Sequence, residues 1–122
     1  VKDVMHKDNL PVINEKDSLQ HAIVEMTEGR QGLVVITKDD NSIAGIFTDG
    51  DLRRTLLSEK MVSGKNIQEI DLTEVMTKSP LMVQQDIQLY DAEVIMMENK
   101  VKALLVVDEN LRLIGIVDIF DQ

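Results

Sequence analysis

Apolar and polar positions along the chain fall into short runs whose period changes. Leu10-Pro11-Val12-Ile13 is a brief apolar run and predicts a small strand. Ala22, Ile23 and Met26 then recur at helical spacing, which predicts an amphipathic helix with Ser18 as its N-cap. Two strand-like runs follow, Leu33-Val34-Val35-Ile36 and Ile43-Ala44-Gly45-Ile46-Phe47, separated by Lys38-Asp39-Asp40-Asn41. Asp and Asn favour such turns because their side chains bond the local backbone and tolerate left-handed conformations. A second helix is predicted from Thr48.

The pattern then returns. Val4-Met5 recurs as Val75-Met76, Leu19-x-x-Ala22 as Leu89-x-x-Ala92, Met26-x-Glu28 as Met96-x-Glu98, Gly45-Ile46 as Gly115-Ile116, and Asp51 as Asp121. The offset is 70 from Leu19 onward and 71 before it. The copies span residues 1–57 and 72–122, joined by a polar linker over 58–71 that contains Gly64. In copy two the turn Thr73-Glu74-Val75-Met76 leads to the strand Leu81-Met82-Val83. A helix with Leu89, Ala92, Ile95 and Met96 on one face follows. Strands Ala103 to Val107 and Leu113 to Val117 flank Asp108-Glu109-Asn110, and a last helix from Asp118 is cut short at Gln122. A β-α-β-β-α unit of about 50 residues cannot easily bury its helical and sheet faces alone, whereas two can. The expected fold is therefore α+β, two repeats packed sheet to sheet with pseudo-twofold symmetry and two equivalent clefts.

Composition narrows the picture. The chain has 122 residues and is 43% hydrophobic, with two Phe, one Tyr and no Trp, so its core must be aliphatic. Seven Met can fill irregular gaps in it. The absence of Cys excludes a disulfide scaffold and a thiol nucleophile. A net charge of −9 repels phosphate backbones, so nucleic-acid binding is not expected. No apolar run approaches the roughly 18 residues of a membrane span, and no signal peptide is visible. The chain starts at Val1, so a piece of a longer protein is expected.

The segment richest in chemistry is Gly45-Ile46-Phe47-Thr48-Asp49-Gly50-Asp51-Leu52-Arg53-Arg54, the end of a strand running into a helix. Thr48 and Asp51 stand three apart around the first turn. One reading is a capping arrangement, each side chain bonding a free amide. The other is a ligand site. An Asp carboxylate at a helix start can accept hydrogen bonds from vicinal ribose hydroxyls, while a Thr hydroxyl and helix-end amides donate to a phosphate. Gly50 would let a ligand approach the backbone. The two readings are compatible.

The repeat and its Gly-hydrophobic-x-Thr-x-x-Asp segment resemble, over the whole chain, a tandem CBS-domain pair, also called a Bateman module. Leu10-Pro11-Val12-Ile13 together with Gly45 to Arg54 is similar to the C-terminal CBS pair of bacterial D-arabinose-5-phosphate isomerases. In that family a sugar-isomerase (SIS) domain precedes the pair and carries catalysis, supplying precursor for the lipopolysaccharide sugar Kdo or for capsules. The resemblance implies a cytoplasmic regulatory module, not itself an enzyme. Thr48 and Asp51 would hold ribose and phosphate. Pro80, Leu81, Met82, Val101, Lys102 and Ala103 of the other copy would complete the cleft, with Lys102 against the phosphate. His6, near the cleft, is a further candidate contact. At the second site Asp118 replaces the Ser or Thr, Asp121 stands for the Asp, and Gly32 stands where Lys102 does, so phosphate would meet two carboxylates without a cation. The implied effector is an AMP- or ATP-type nucleotide, CMP or CMP-Kdo. The implied partners are that small molecule, the SIS domain and a second copy docking through the CBS helices. Two alternatives remain: a structural dimerisation module that binds nothing, and a cover over the active site of the attached isomerase domain.

Other constellations are weaker. His6 and His21 are the only histidines, and neither a His-x-x-x-His motif nor a carboxylate cluster is read beside them, so no metal is expected. Asp49-Gly50-Asp51 lacks the later oxygen ligands of a calcium loop. Ser63-Gly64-Lys65 lacks the flanking residues of a phosphate loop. No Ser-His-Asp or paired-acid frame is found, and no catalytic residue is assigned.

Overall fold

Pro11 decides where the first sheet begins. It has no amide proton, so only its carbonyl joins the ladder, accepting from Val35 N at 2.7 Å. The strand β1 accordingly covers Val12–Asn14, starting two residues later and ending one residue later than the apolar run suggests. A computed structural model provides the coordinates, which describe Met5 and residues 7–29, 32–58, 64 and 66–118. After β1 come α1 (Leu19–Gly29), β2 (Leu33–Thr37), β3 (Ile43–Thr48) and α2 (Asp49–Leu56). A 3-10 turn over Ile67–Glu69 precedes α3 (Leu72–Val75), β4 (Met82–Gln84), α4 (Leu89–Asn99), β5 (Ala103–Val107) and β6 (Leu113–Asp118).

The architecture is α+β, with two three-stranded sheets ordered β1-β2-β3 and β4-β5-β6. In each, the first strand runs parallel to the second across a helical crossover, and the second pairs antiparallel with the third. The repeat persists in fine detail. Register shifts fall at Ile36/Thr37 and at Val106/Val107. The hairpin turns place Asn41 (φ 69°) and Leu111 (φ 62°) in the left-handed region. Asn tolerates that conformation, whereas Leu is strained in it.

The chain forms two compact units, Pro11–Ser79 and Val1–Leu10 with Pro80–Gln122. In the first, Ile13, Leu19, Ala22, Met26, Val34, Ile36 and Phe47 build the core, joined by Ile70 and Leu72. Ile67, Val75 and Met76 pack against it. The last part of the polar linker, Ile67 to Ile70, thus contributes apolar side chains to a core. In the second unit Val83, Ala92, Met96, Leu104, Val106 and Val117 form the core, with Met5, Ile87, Ile95, Val101 and Ile114 against it.

The helices differ more than the sheets. Ser18 caps α1 as expected, its Oγ accepting from His21 N at 3.0 Å. Gln88 precedes α4 and makes no such bond. Leu19 is 1% exposed but its counterpart Leu89 is 42% exposed, so Leu89 lies off the buried face expected of it. The predicted opening turn of copy two is the helix α3. His6, Asp121 and the expected last helix lie outside the described residues.

Candidate functional site

β3 delivers Thr48 to the start of α2 in extended conformation (φ −119°, ψ 170°), and the helix begins at Asp49. The capping reading holds in full. Thr48 Oγ1 accepts from Asp51 N at 3.2 Å, and Asp51 Oδ2 accepts from Thr48 N at 2.9 Å. The Thr48 hydroxyl also donates to Oδ2, at 3.1 Å.

More than a cap is present. Asp51 is 2% exposed, and a buried carboxylate needs its lone pairs filled. Arg54, one turn on, donates through Nη2 to Oδ1. Thr77 Oγ1 lies 3.0 Å from Oδ1 and 3.1 Å from Oδ2. Thr77 is held by a two-bond bridge to β3, with Ile46 N to Thr77 O at 2.9 Å and Thr77 N to Ile46 O at 2.8 Å. Gly45 permits this approach, because a Cβ there would collide with the Thr77 carbonyl oxygen. Below the carboxylate, the buried Thr55 hydroxyl donates to the Asp51 carbonyl at 2.7 Å. A cavity of about 220 Å³ opens beside this group, lined by Asp51, Arg54, Thr55, Ser58, Glu74 and Val75.

Thr48 and Asp51 are thus brought together. Sequence reasoning missed Thr77 and gave Arg54 no role. Arg54 was detectable as an i,i+3 partner of Asp51. Thr77, 26 positions away, left no such local signal.

Pro80, Leu81, Met82, Val101, Lys102 and Ala103 belong to the other unit. Leu81 (36%) and Met82 (38%) are exposed apolar residues at the head of β4, and Pro80 is half-buried. Val101 and Lys102 lead into β5, where Ala103 pairs with Asp118 of β6. Gly32, taken as a gap where a cation should be, has a backbone reason to be glycine. Its φ is +68°, and a Cβ would stand 2.8 Å from Asp49 Oδ2.

His21 does have carboxylates beside it, contrary to the sequence reading. Its Nδ1 is 2.7 Å from Asp17 Oδ2 and its Nε2 is 3.4 Å from Glu25 Oε1, each four residues away, Asp17 just before α1 and Glu25 within it. The hydrogen bond to Asp17 raises the His21 pKa, and the charges of Asp17 and Glu25 add to it. Asp17 is lowered, first by the Ser18 amide and then by His21.

Among the described residues, no helix is long and apolar enough to cross a membrane. Comparison with known proteins agrees with the repeat. The arabinose 5-phosphate isomerase KdsD of Pseudomonas aeruginosa is 38% identical over 99% of this chain, and KpsF of Escherichia coli is 34% identical over 99%. The chain spans only about a third of those relatives, 36% and 35%. Among solved structures, CBSX2 in complex with AMP superposes with a TM-score of 0.79 at 28% identity, covering 96% of this chain and 87% of that one. Protein MJ1225 of Methanocaldococcus jannaschii gives 0.86 at 26% identity, covering 98% and 44%. Residues 1–58 and 72–121 each match the CBS domain, so the chain belongs to the CBS-domain family and carries that domain twice.

Proposed function

We propose that this CBS pair is a regulatory module that binds a ribose phosphate on behalf of an arabinose-5-phosphate isomerase domain elsewhere in the full-length protein. The observation that carries the reading is Asp51: a carboxylate 2% exposed, set by Thr48 at the start of α2, beside an open cavity. Such a carboxylate suits a vicinal diol, and the positive end of the α2 dipole suits a phosphate. The AMP held by CBSX2 and the likeness to KdsD support the same reading. The effector is an adenine or cytidine nucleotide, and CMP-Kdo fits as the activated product of the pathway in which such isomerases work. Aldose-ketose conversion needs a positioned base, and that step belongs in this reading to the isomerase domain rather than to the CBS pair.

A thermal-shift panel of AMP, ATP, CMP and CMP-Kdo tests the proposal. A ligand at a hundred times its Kd adds about 2.7 kcal/mol, several degrees for a domain of this size. A flat response across the panel overturns it.

A second reading, a self-association module, is favoured by the apolar side chains left on the helices. Leu56 (47%) and Leu57 (76%) lie at the end of α2, and Tyr90 (73%) and Met97 (70%) on α4. A clean monomer in sedimentation at tens of micromolar would overturn it.

A further inference from the structure

The Asp51 carboxylate meets four donor groups: the Thr48 amide, the Thr48 hydroxyl, the Thr77 hydroxyl and the Arg54 guanidinium. A carboxylate offers about four lone-pair positions, so a ligand diol can enter only by exchange. The donors are not equally fixed. Thr48 is tied into the capping box and Thr77 into its bridge with Ile46. The Arg54 side chain is 72% exposed, against 2% for Asp51. Arg54 can therefore return to water at little desolvation cost, while Asp51 stays in place. Its guanidinium also lies over the first turn of α2. A methyl placed on Gly50 would stand 3.6 Å from both Arg54 Nη1 and Thr48 Oγ1.

We infer that Arg54 is an exchangeable cap on Asp51: a ligand's diol takes its place, and the released guanidinium becomes the cation that holds the ligand's phosphate. The inference rests on the nucleotide reading above and names the residue that selects phosphorylated ligands. A guanidinium presents paired N–H donors that match two phosphate oxygens, and its short tether to α2 keeps it beside Thr48 after release. The cavity that Arg54 lines gives the side chain room to swing.

Arg54 then opposes a ligand that has a diol alone and favours one that has a diol and a phosphate. The test is calorimetric titration of AMP with adenosine, and CMP with cytidine, into the whole chain as wild type, Arg54→Ala and Arg54→Gln. The preference for nucleotide over nucleoside should fall at least tenfold in both variants, with nucleoside affinity equal to or above wild type in Arg54→Ala. Arg54→Gln keeps a donor for Asp51 and serves if the alanine variant does not fold. An unchanged preference, or a nucleoside affinity that falls along with the nucleotide's, overturns the exchange while nucleotide binding stands. No binding of any of the four to wild type overturns both.

Discussion

The hydroxyl of Thr77 sits between the two carboxylate oxygens of Asp51, 3.0 and 3.1 Å away, and thereby ties the segment after α3 to the start of α2. The Asp51 side chain is thus both a helix cap and the anchor of a distant strand-like residue. Asp51→Ala should cost about 3 kcal/mol, more than a cap alone, because it also strips the Thr48 amide and the Thr77 hydroxyl of their acceptor. Thr77→Val should cost about 1 kcal/mol. The double substitution should fall short of the sum by at least about 0.5 kcal/mol, since both remove one bond. Urea denaturation of the three variants measures this, and strict additivity would contradict the shared network.

Two glycines close in sequence should answer oppositely to alanine. At Gly45 a Cβ meets the Thr77 carbonyl oxygen and lies 3.1 Å from the Met76 sulfur, so Gly45→Ala should cost about 1–3 kcal/mol by prising the bridge open. At Gly50, inside α2, the nearest atoms would be at an ordinary 3.6 Å. Gly50→Ala should be neutral or stabilising by up to about 1 kcal/mol through helix propensity. Melting curves of the two variants decide the sign of each.

The paired strands and first helices were legible because the same alternation recurs at an offset of 70 residues, and the Thr48–Asp51 cap because both partners lie within one turn. What escaped depends on pairings between distant segments. Nothing local marks Thr77 as a partner of Asp51, or Ile70 as a core residue rather than linker. Leu89 escaped differently: it matches the buried Leu19 in pattern, and only the packing of the second unit leaves it exposed. The carboxylates around His21 were within reach, since Asp17 and Glu25 stand at i−4 and i+4.

His21 should titrate above an ordinary histidine, and Asp17 below an ordinary aspartate. A raised histidine stabilises the fold fully below its unfolded value, and that contribution fades as pH rises through the folded value. The lowered Asp17 acts above its own unfolded value and fades as pH falls through its folded one. The pair therefore helps most between the two. NMR titration of the His21 ring should show its midpoint fall in Asp17→Asn; an unmoved midpoint would exclude Asp17 as the main cause.

Binding should be asymmetric, with one nucleotide per chain. Asp118 stands in the second repeat where Thr48 stands in the first, so a phosphate there would meet carboxylates. Unit charges about 4 Å apart interact by roughly 4 kcal/mol at an effective dielectric near 20, and a fraction of that removes a micromolar site. Asp51→Asn should abolish calorimetric binding and Asp121→Ala should leave it nearly unchanged. A stoichiometry of two, or equal losses from both, would refute the asymmetry.

Each repeat lends its opening segment away. Leu72, Val75 and Met76 begin the second repeat yet pack in the core of Pro11–Ser79, while Met5, from the first, packs with Val83 and Ala92. A polypeptide carrying one such repeat would be missing a piece of its own interior while holding out a spare piece for a neighbour. Two single-repeat chains would have to trade these pieces to fold, and their stability would rise and fall with concentration. Fusing the repeats replaces that bimolecular meeting with an effective concentration in the millimolar range, so the continuous chain folds at any dilution.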